Sequence, residues 1–151
     1  MEYTSEIIIN SPIENCIEKF RAADHVKHWQ RGLISFEHIS GEPGQFASKT
    51  KMLYKFGARK MELLETIVKN NLPHEFHATY HANGITNNQE NYFDEFATGK
   101  TKWVCKNEFI PLNFTMRMMI AFMPKGFKNQ TMRYMKDFKN YVEHGKSILD
   151  R

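Results

Sequence analysis

Histidines at 74, 77 and 81 fall in one short segment, a spacing that invites a metal site. On a strand only residues an even number apart share a face, so His77 and His81 converge while His74 turns away, and two imidazoles do not complete a zinc site. Glu75 and Thr79 share the face of His77 and His81 without restoring a known ligand motif. The expectation is no metal, with these residues on a solvated outer strand face. Proton transfer would fall to Glu65, Glu90, Glu95, His77 or His81, each of which would have to face an enclosed site with its pKa displaced. A slip of one residue in register sends any of them into water, so the pattern leaves their roles open. The chain has no nucleophile motif, no phosphate-binding glycine loop and no dinucleotide fingerprint. Covalent catalysis and nucleotide chemistry are excluded, and no cofactor is expected.

Methionines and aromatics carry a different chemistry, the recognition of an apolar surface. Six of the nine methionines lie at 116, 118, 119, 123, 132 and 135, a soft lining that adapts to irregular ligands but also fills gaps in an ordinary core. Trp29, Tyr54, Tyr80, Trp103, Tyr134 and Phe138 suit a flat, sterol-like or polyketide-like guest. The residues expected to line a pocket are Trp29, Met52, Tyr54, Trp103, Phe109, Met119, Met123, Tyr134 and Phe138.

The elements that would position these groups follow from turn signals and periodicity. Tyr3 to Ile9 reads as a strand, and Ser11-Pro12-Ile13-Glu14 reads as a capping box opening a helix that buries Ile13, Cys16, Ile17 and Phe20. Asp24 is placed to cap a second short helix over 25–30 that buries Val26 and Trp29. Beyond Gly32 turn signals recur at 41–44, 57–58, 70–73, 83–84 and 98–99, too close together for parallel crossovers. Six further strands in an antiparallel meander are therefore expected. Phe46, Ser48, Thr50, Met52, Tyr54 and Phe56 share one face of the third strand, whereas the sixth, 87–96, is polar on both faces and its inner face stays unassigned. A final helix breaks at Met123-Pro124-Lys125-Gly126, leaving either a flap over the container or a simple bend.

The chain is 151 residues long, which fits one domain over 1–151, with no linker, repeat or charged tail. The net charge of +4 is concentrated late: residues 115–151 hold eight Lys/Arg against three acids, which reads as a solvated helix face and not as a nucleic-acid surface. No span is long and apolar enough for stable membrane insertion, the acidic N-terminus carries no basic n-region, and Cys16 and Cys105 read as buried thiols. A cytoplasmic protein, monomeric or weakly homodimeric, is expected.

The segment from Ile7 through Pro12 to Glu14, the pair His28-Trp29, the run Lys69-Asn70-Asn71-Leu72-Pro73 and the closing stretch from Phe127 to Glu143 together resemble the SRPBCC superfamily. That superfamily includes START lipid-transfer domains, pollen-allergen-like proteins and polyketide-cyclase-like proteins. The resemblance implies an α+β helix-grip fold: a curved seven-stranded antiparallel sheet wrapped around a long C-terminal helix, with two short helices after the first strand. It implies binding of a small hydrophobic or amphipathic molecule between sheet and helix. A cofactor-free cyclase or dehydratase using a cavity histidine or carboxylate is a second reading. A protein-interaction module like the chaperone ATPase activators, using Lys128, Lys136 and Lys139, is a third.

Overall fold

The computed structural model describes residues 1–150. β1 (Glu2–Ile9) is followed by α1 (Ile13–Arg21), α2 (Ala23–Val26), β2 (Leu33–Ser40), β3 (Lys49–Phe56), β4 (Arg59–Asn71), β5 (Glu75–Ala82), β6 (Ile85–Ala97) and β7 (Lys100–Pro111). α3 (Phe114–Phe122) and α4 (Pro124–His144) complete the chain. The strands form one seven-stranded sheet in the order β1-β7-β6-β5-β4-β3-β2, antiparallel throughout. β2 to β7 are the expected meander, and β1 returns beside β7. α4 grips the concave face with Met135, Phe138, Tyr141 and Val142, which recur at helical spacing and are buried.

α1 plugs one end of the concavity. Phe20 stacks on Trp29 and meets Phe76, Phe93, Trp103 and Phe138 edge-on, with ring centroids 4.9–6.0 Å apart. Such edge-to-face contacts let the positive rim of one ring meet the negative face of the next.

Local differences from the sequence reading have physical causes. The capping box does not form: Ser11 Oγ accepts a hydrogen bond from Asn15 Nδ2 at 2.7 Å, and Pro12 is the cap residue of α1. α2 stops at Val26 and does not run over 25–30, and Asp24 lies inside its first turn instead of capping it. Ala47 adopts a φ of 69°, which turns the chain before β3, so Phe46 is exposed in the loop and does not join the inner face. The late helix does break at Met123, giving α3 and α4. Gly84, with φ of 83°, forms the β5–β6 turn against the start of α3, where an added Cβ would lie 2.5 Å from Asn113 Nδ2. Asn113 in turn caps α3 by accepting from the Met116 N–H at 2.9 Å.

Candidate functional site

β6 is the strand whose faces were unassigned, and its odd positions turn inward: Ile85, Asn87, Asn91 and Phe93 are buried. Pairing then lays the concave face out in rows across the strands. Nearest α1, Phe93 and Ile7 flank Trp103. The next row carries Phe76, Asn91, Cys105 and Ser5, and the one after it Ala78, Gln89, Asn107 and Tyr3. Thr50, Glu65, Tyr80, Asn87 and Phe109 form a further row over five strands. Beyond them the face becomes apolar again at Met52, Leu63, Ala82 and Ile85. A polar belt thus lies between an aromatic floor and an apolar mouth.

The belt is wired together. Trp103 Nε1 donates to Asn91 Oδ1 at 2.9 Å, and Asn91 Nδ2 donates to Gln89 Oε1 at 3.0 Å. Gln89 Nε2 and Asn87 Nδ2 both donate to Asn107 Oδ1, at 3.1 and 3.0 Å, while Asn107 Nδ2 reaches Cys105 Sγ at 3.2 Å. Ser5 Oγ, opposite Cys105, is buried with no hydrogen-bond partner. A buried hydroxyl without a partner forfeits its hydration uncompensated, which a bound polar group would restore.

On the other flank Glu65, only 1% exposed, accepts from Arg21 Nη1 and Nη2 at 2.7 and 2.9 Å and from the Tyr80 hydroxyl at 2.8 Å. Arg21 also lies 4.0 Å over the Phe76 ring. Tyr54 donates to Gln30 at 3.1 Å, and Tyr134 donates to the Arg31 carbonyl at 3.3 Å. Burial, followed by the nearby Glu65 charge, pushes the Tyr80 phenol well above its usual range; burial does the same for Tyr54, aided by Tyr134 and then Glu65. Burial also pushes the Cys105 thiol and the Tyr3 phenol up to about 12. At neutral pH the belt therefore offers neutral donors and acceptors around one ion pair.

Packing differs along the concavity. Phe76, Phe93 and Phe138 are fully buried, whereas Leu63, Tyr80, Ala82 and Gln89, on the same face of inner strands, are only partly buried. They keep contact with solvent that the floor residues have lost.

Of the nine residues expected to line a pocket, Trp29, Trp103 and Phe138 pack ring on ring in the aromatic floor. Met52 and Tyr54 are buried on the inner face of β3, and Phe109 and Tyr134 are half-buried near the other end. Met119 is half-buried in α3, and Met123 is exposed at the helix break. Two open grooves also run along α4. One, of about 380 Å³, is lined by Asn129, Met132, Arg133, Lys136 and Asp137. The other, of about 470 Å³, lies between the start of β1 and the first turns of α4. Neither includes any of the nine.

Among the acid–base candidates only Glu65 is buried on the concave face. His77 and Glu90 are on the convex face, where His77 lies 3.9 Å from Glu75 and from Glu90, and His81 and Glu95 are exposed. Cys16 and Cys105 are buried and unbridged. Asn87, Gln89, Asn91 and Asn107 were missed as site residues, although Ile85 and Phe93, of the same parity at the ends of β6, point to their face.

No protein-family model matches the chain, and no curated protein sequence matches it significantly. Solved structures do match. Protein TTHA0849 from Thermus thermophilus aligns over 97% of this chain and 100% of its own, with a TM-score of 0.77 at 13% identity. The Zhui aromatase/cyclase from Streptomyces sp. R1128 aligns over 98% and 99%, with a TM-score of 0.71 at 7% identity. Ginseng major latex-like protein 151 from Panax ginseng aligns over 94% and 97%, with a TM-score of 0.70 at 12% identity. At these identities the likeness shows the fold, which is the expected helix-grip fold.

Proposed function

We propose that the protein, as one domain over 1–151, binds a small amphipathic molecule between the sheet and α4, with its hydrogen-bonding groups against the belt and its apolar part toward the mouth. The polar belt carries this reading: a core built only for stability gains little from a row of buried amides and an unpartnered Ser5 hydroxyl. The fold shared with an aromatase/cyclase supports a cyclic or polyketide-like ligand class. The proposed lining keeps Met52, Tyr54, Phe109, Met119 and Tyr134 from the sequence reading and adds Tyr80 and Gln89, above a floor of Trp29, Trp103 and Phe138. Met123 would stand at the rim. Two unbridged thiols suit a reducing compartment, so the reading places the protein in the cytoplasm.

Binding without chemical transformation is favoured over catalysis. Both Glu65 oxygens are engaged by Arg21 and Tyr80, which withdraws this carboxylate from base work. In the interaction-module reading Lys139 is not free, because it donates to the Ile8 carbonyl and to Glu143, each at 2.6 Å.

The test is to incubate the protein with a total lipid extract, re-isolate it and identify retained molecules by mass spectrometry after solvent extraction. One molecular class at close to one per protein is expected, retained by wild type and lost in Ala82→Phe, which puts a ring into the mouth. A folded wild-type protein that retains nothing would sink the reading.

A further inference from the structure

α3 is apolar on both sides, with Thr115 and Arg117 its only polar side chains. Met116, Met119 and Ile120 are half-buried, yet Phe114, Met118 and Phe122, one turn apart on the other face, are exposed, Phe114 by 72% and Phe122 by 76%. A helix without a polar face normally has both sides covered. Leu112 and Met123 extend the bare surface at either end of α3.

The surroundings of this face are basic. From Phe109 through Lys136 the chain has five Lys/Arg and no acid. Strand connectivity brings the β3–β4 turn to the same end of the sheet, because β7 ends beside the β5–β6 turn, two strands from it. That hairpin repeats the pattern: Phe56 and Met61 are exposed among Lys55, Arg59 and Lys60. Among the described residues none of Lys55, Arg59, Lys60, Arg117, Lys125 and Lys128 takes part in an ion pair. Glu2 and Glu62 border the patch.

We propose that this end of the molecule docks on an anionic lipid bilayer, with Phe114, Met118, Phe122 and Met123 entering the headgroup region and the lysines and arginines meeting lipid phosphates and carboxylates. Exposed apolar tips within a predominantly basic surround are what an interfacial helix presents to such a surface, whereas a protein partner of ordinary composition would be met by charges of both signs in comparable number. No helix among the described residues is long and apolar enough to cross a membrane, so the contact is peripheral. The apolar rows of the concave face lie at this same end, but the docking stands on the outer surface and does not depend on an interior ligand.

Co-sedimentation with vesicles of phosphatidylcholine mixed with phosphatidylserine, against phosphatidylcholine alone, tests the assignment on the full chain. Binding to the mixed vesicles only, weakened by salt, is expected. Lys60→Glu and Lys125→Glu should each weaken it about fivefold or more, and Phe122→Asp should abolish it while leaving the melting temperature unchanged. Retention of an interior ligand should survive Phe122→Asp, which separates this proposal from the one above. Absence of binding to the mixed vesicles overturns it. So does a concentration-dependent dimer that Phe122→Asp dissolves without any vesicle binding, which would give the face to a second copy. Binding to duplex DNA as strong as to vesicles and indifferent to Phe122→Asp would also overturn it.

Discussion

The two ends of the concave face are made from the same strands and solve different problems. Near α1, Phe20 touches five aromatic rings and water is excluded; near the α3 end, Leu63, Tyr80, Ala82 and Gln89 are left partly uncovered above a belt of amides. The first end stores the stability of the fold, because rings in contact gain both transfer free energy and dispersion. The second forgoes that gain and carries a network of paired amides, with the buried Ser5 Oγ left without a partner. One sheet can thus hold a rigid floor and an adaptable opening only two or three residues apart along each strand.

The largest expected effect tests the floor. Phe20→Ala should cost about 4 kcal/mol in denaturant unfolding, because five neighbouring rings cannot collapse into the space together. A loss below about 1 kcal/mol would remove the distinction between the two ends. Glu65→Gln comes next, at about 3 kcal/mol, since it leaves the Arg21 guanidinium facing Phe76 without its counter-charge. Arg21→Met together with Glu65→Leu should recover most of that loss, which a double-mutant cycle would measure.

A matched pair sharpens the comparison further. Ala78 and Ala82 lie on the same face of β5, but Ala78 is 1% exposed within the core cluster and Ala82 is only partly buried. Ala78→Leu should destabilise by about 2 kcal/mol through overpacking, whereas Ala82→Leu should change unfolding free energy by less than about 0.5 kcal/mol. Equal losses would mean that the mouth is as filled as the floor.

The smallest effect concerns how α4 is tied to the floor end. Burial alone would raise the Glu143 pKa, but hydrogen bonds from Lys139 and from the Asn10 N–H, at 2.6 and 2.7 Å, hold it below its ordinary value of 4.5. A carboxylate depressed by folding contributes stability that is complete above the unfolded value and disappears as the pH falls through the lower folded one. Melting temperature should therefore drop on acidification below 4.5 less steeply in Glu143→Gln than in wild type.

How much of this was legible in the sequence depended on contrast between faces. The meander followed from turn signals such as Asn83-Gly84, and Gly84 does take the left-handed conformation its hairpin demands. The inner face of β6 was not legible from hydropathy, because Asn87, Gln89 and Asn91 alternate with Thr86, Asn88 and Glu90, so neither side is apolar. Period-two patterning reads a difference in polarity between faces, and a strand built to put amides inside has none. The same logic left Glu65 one of five acid–base candidates: its same-face neighbours Leu63 and Ile67 mark it as inward, but Leu64 and Val68 carry an equal signal for the opposite face. Trp29, Tyr54, Trp103 and Phe138 are buried, whereas Phe46 and Phe56 of the expected inner face are exposed, and sequence cannot separate a ring that packs on rings from one that faces space. That difference is set by α1, whose Phe20 fills the volume the floor rings would otherwise border.

The most direct test of a loose end beside a packed one is titration with a neutral amphipathic probe, N-phenyl-1-naphthylamine, followed by NMR of ¹³C-methyl methionines. Saturable one-site binding that shifts Met52, with Met135 in the packed core unmoved, is the result predicted here. Absence of saturable binding, or shifts confined to the exposed Met118 and Met123 of the α3 end, would contradict it.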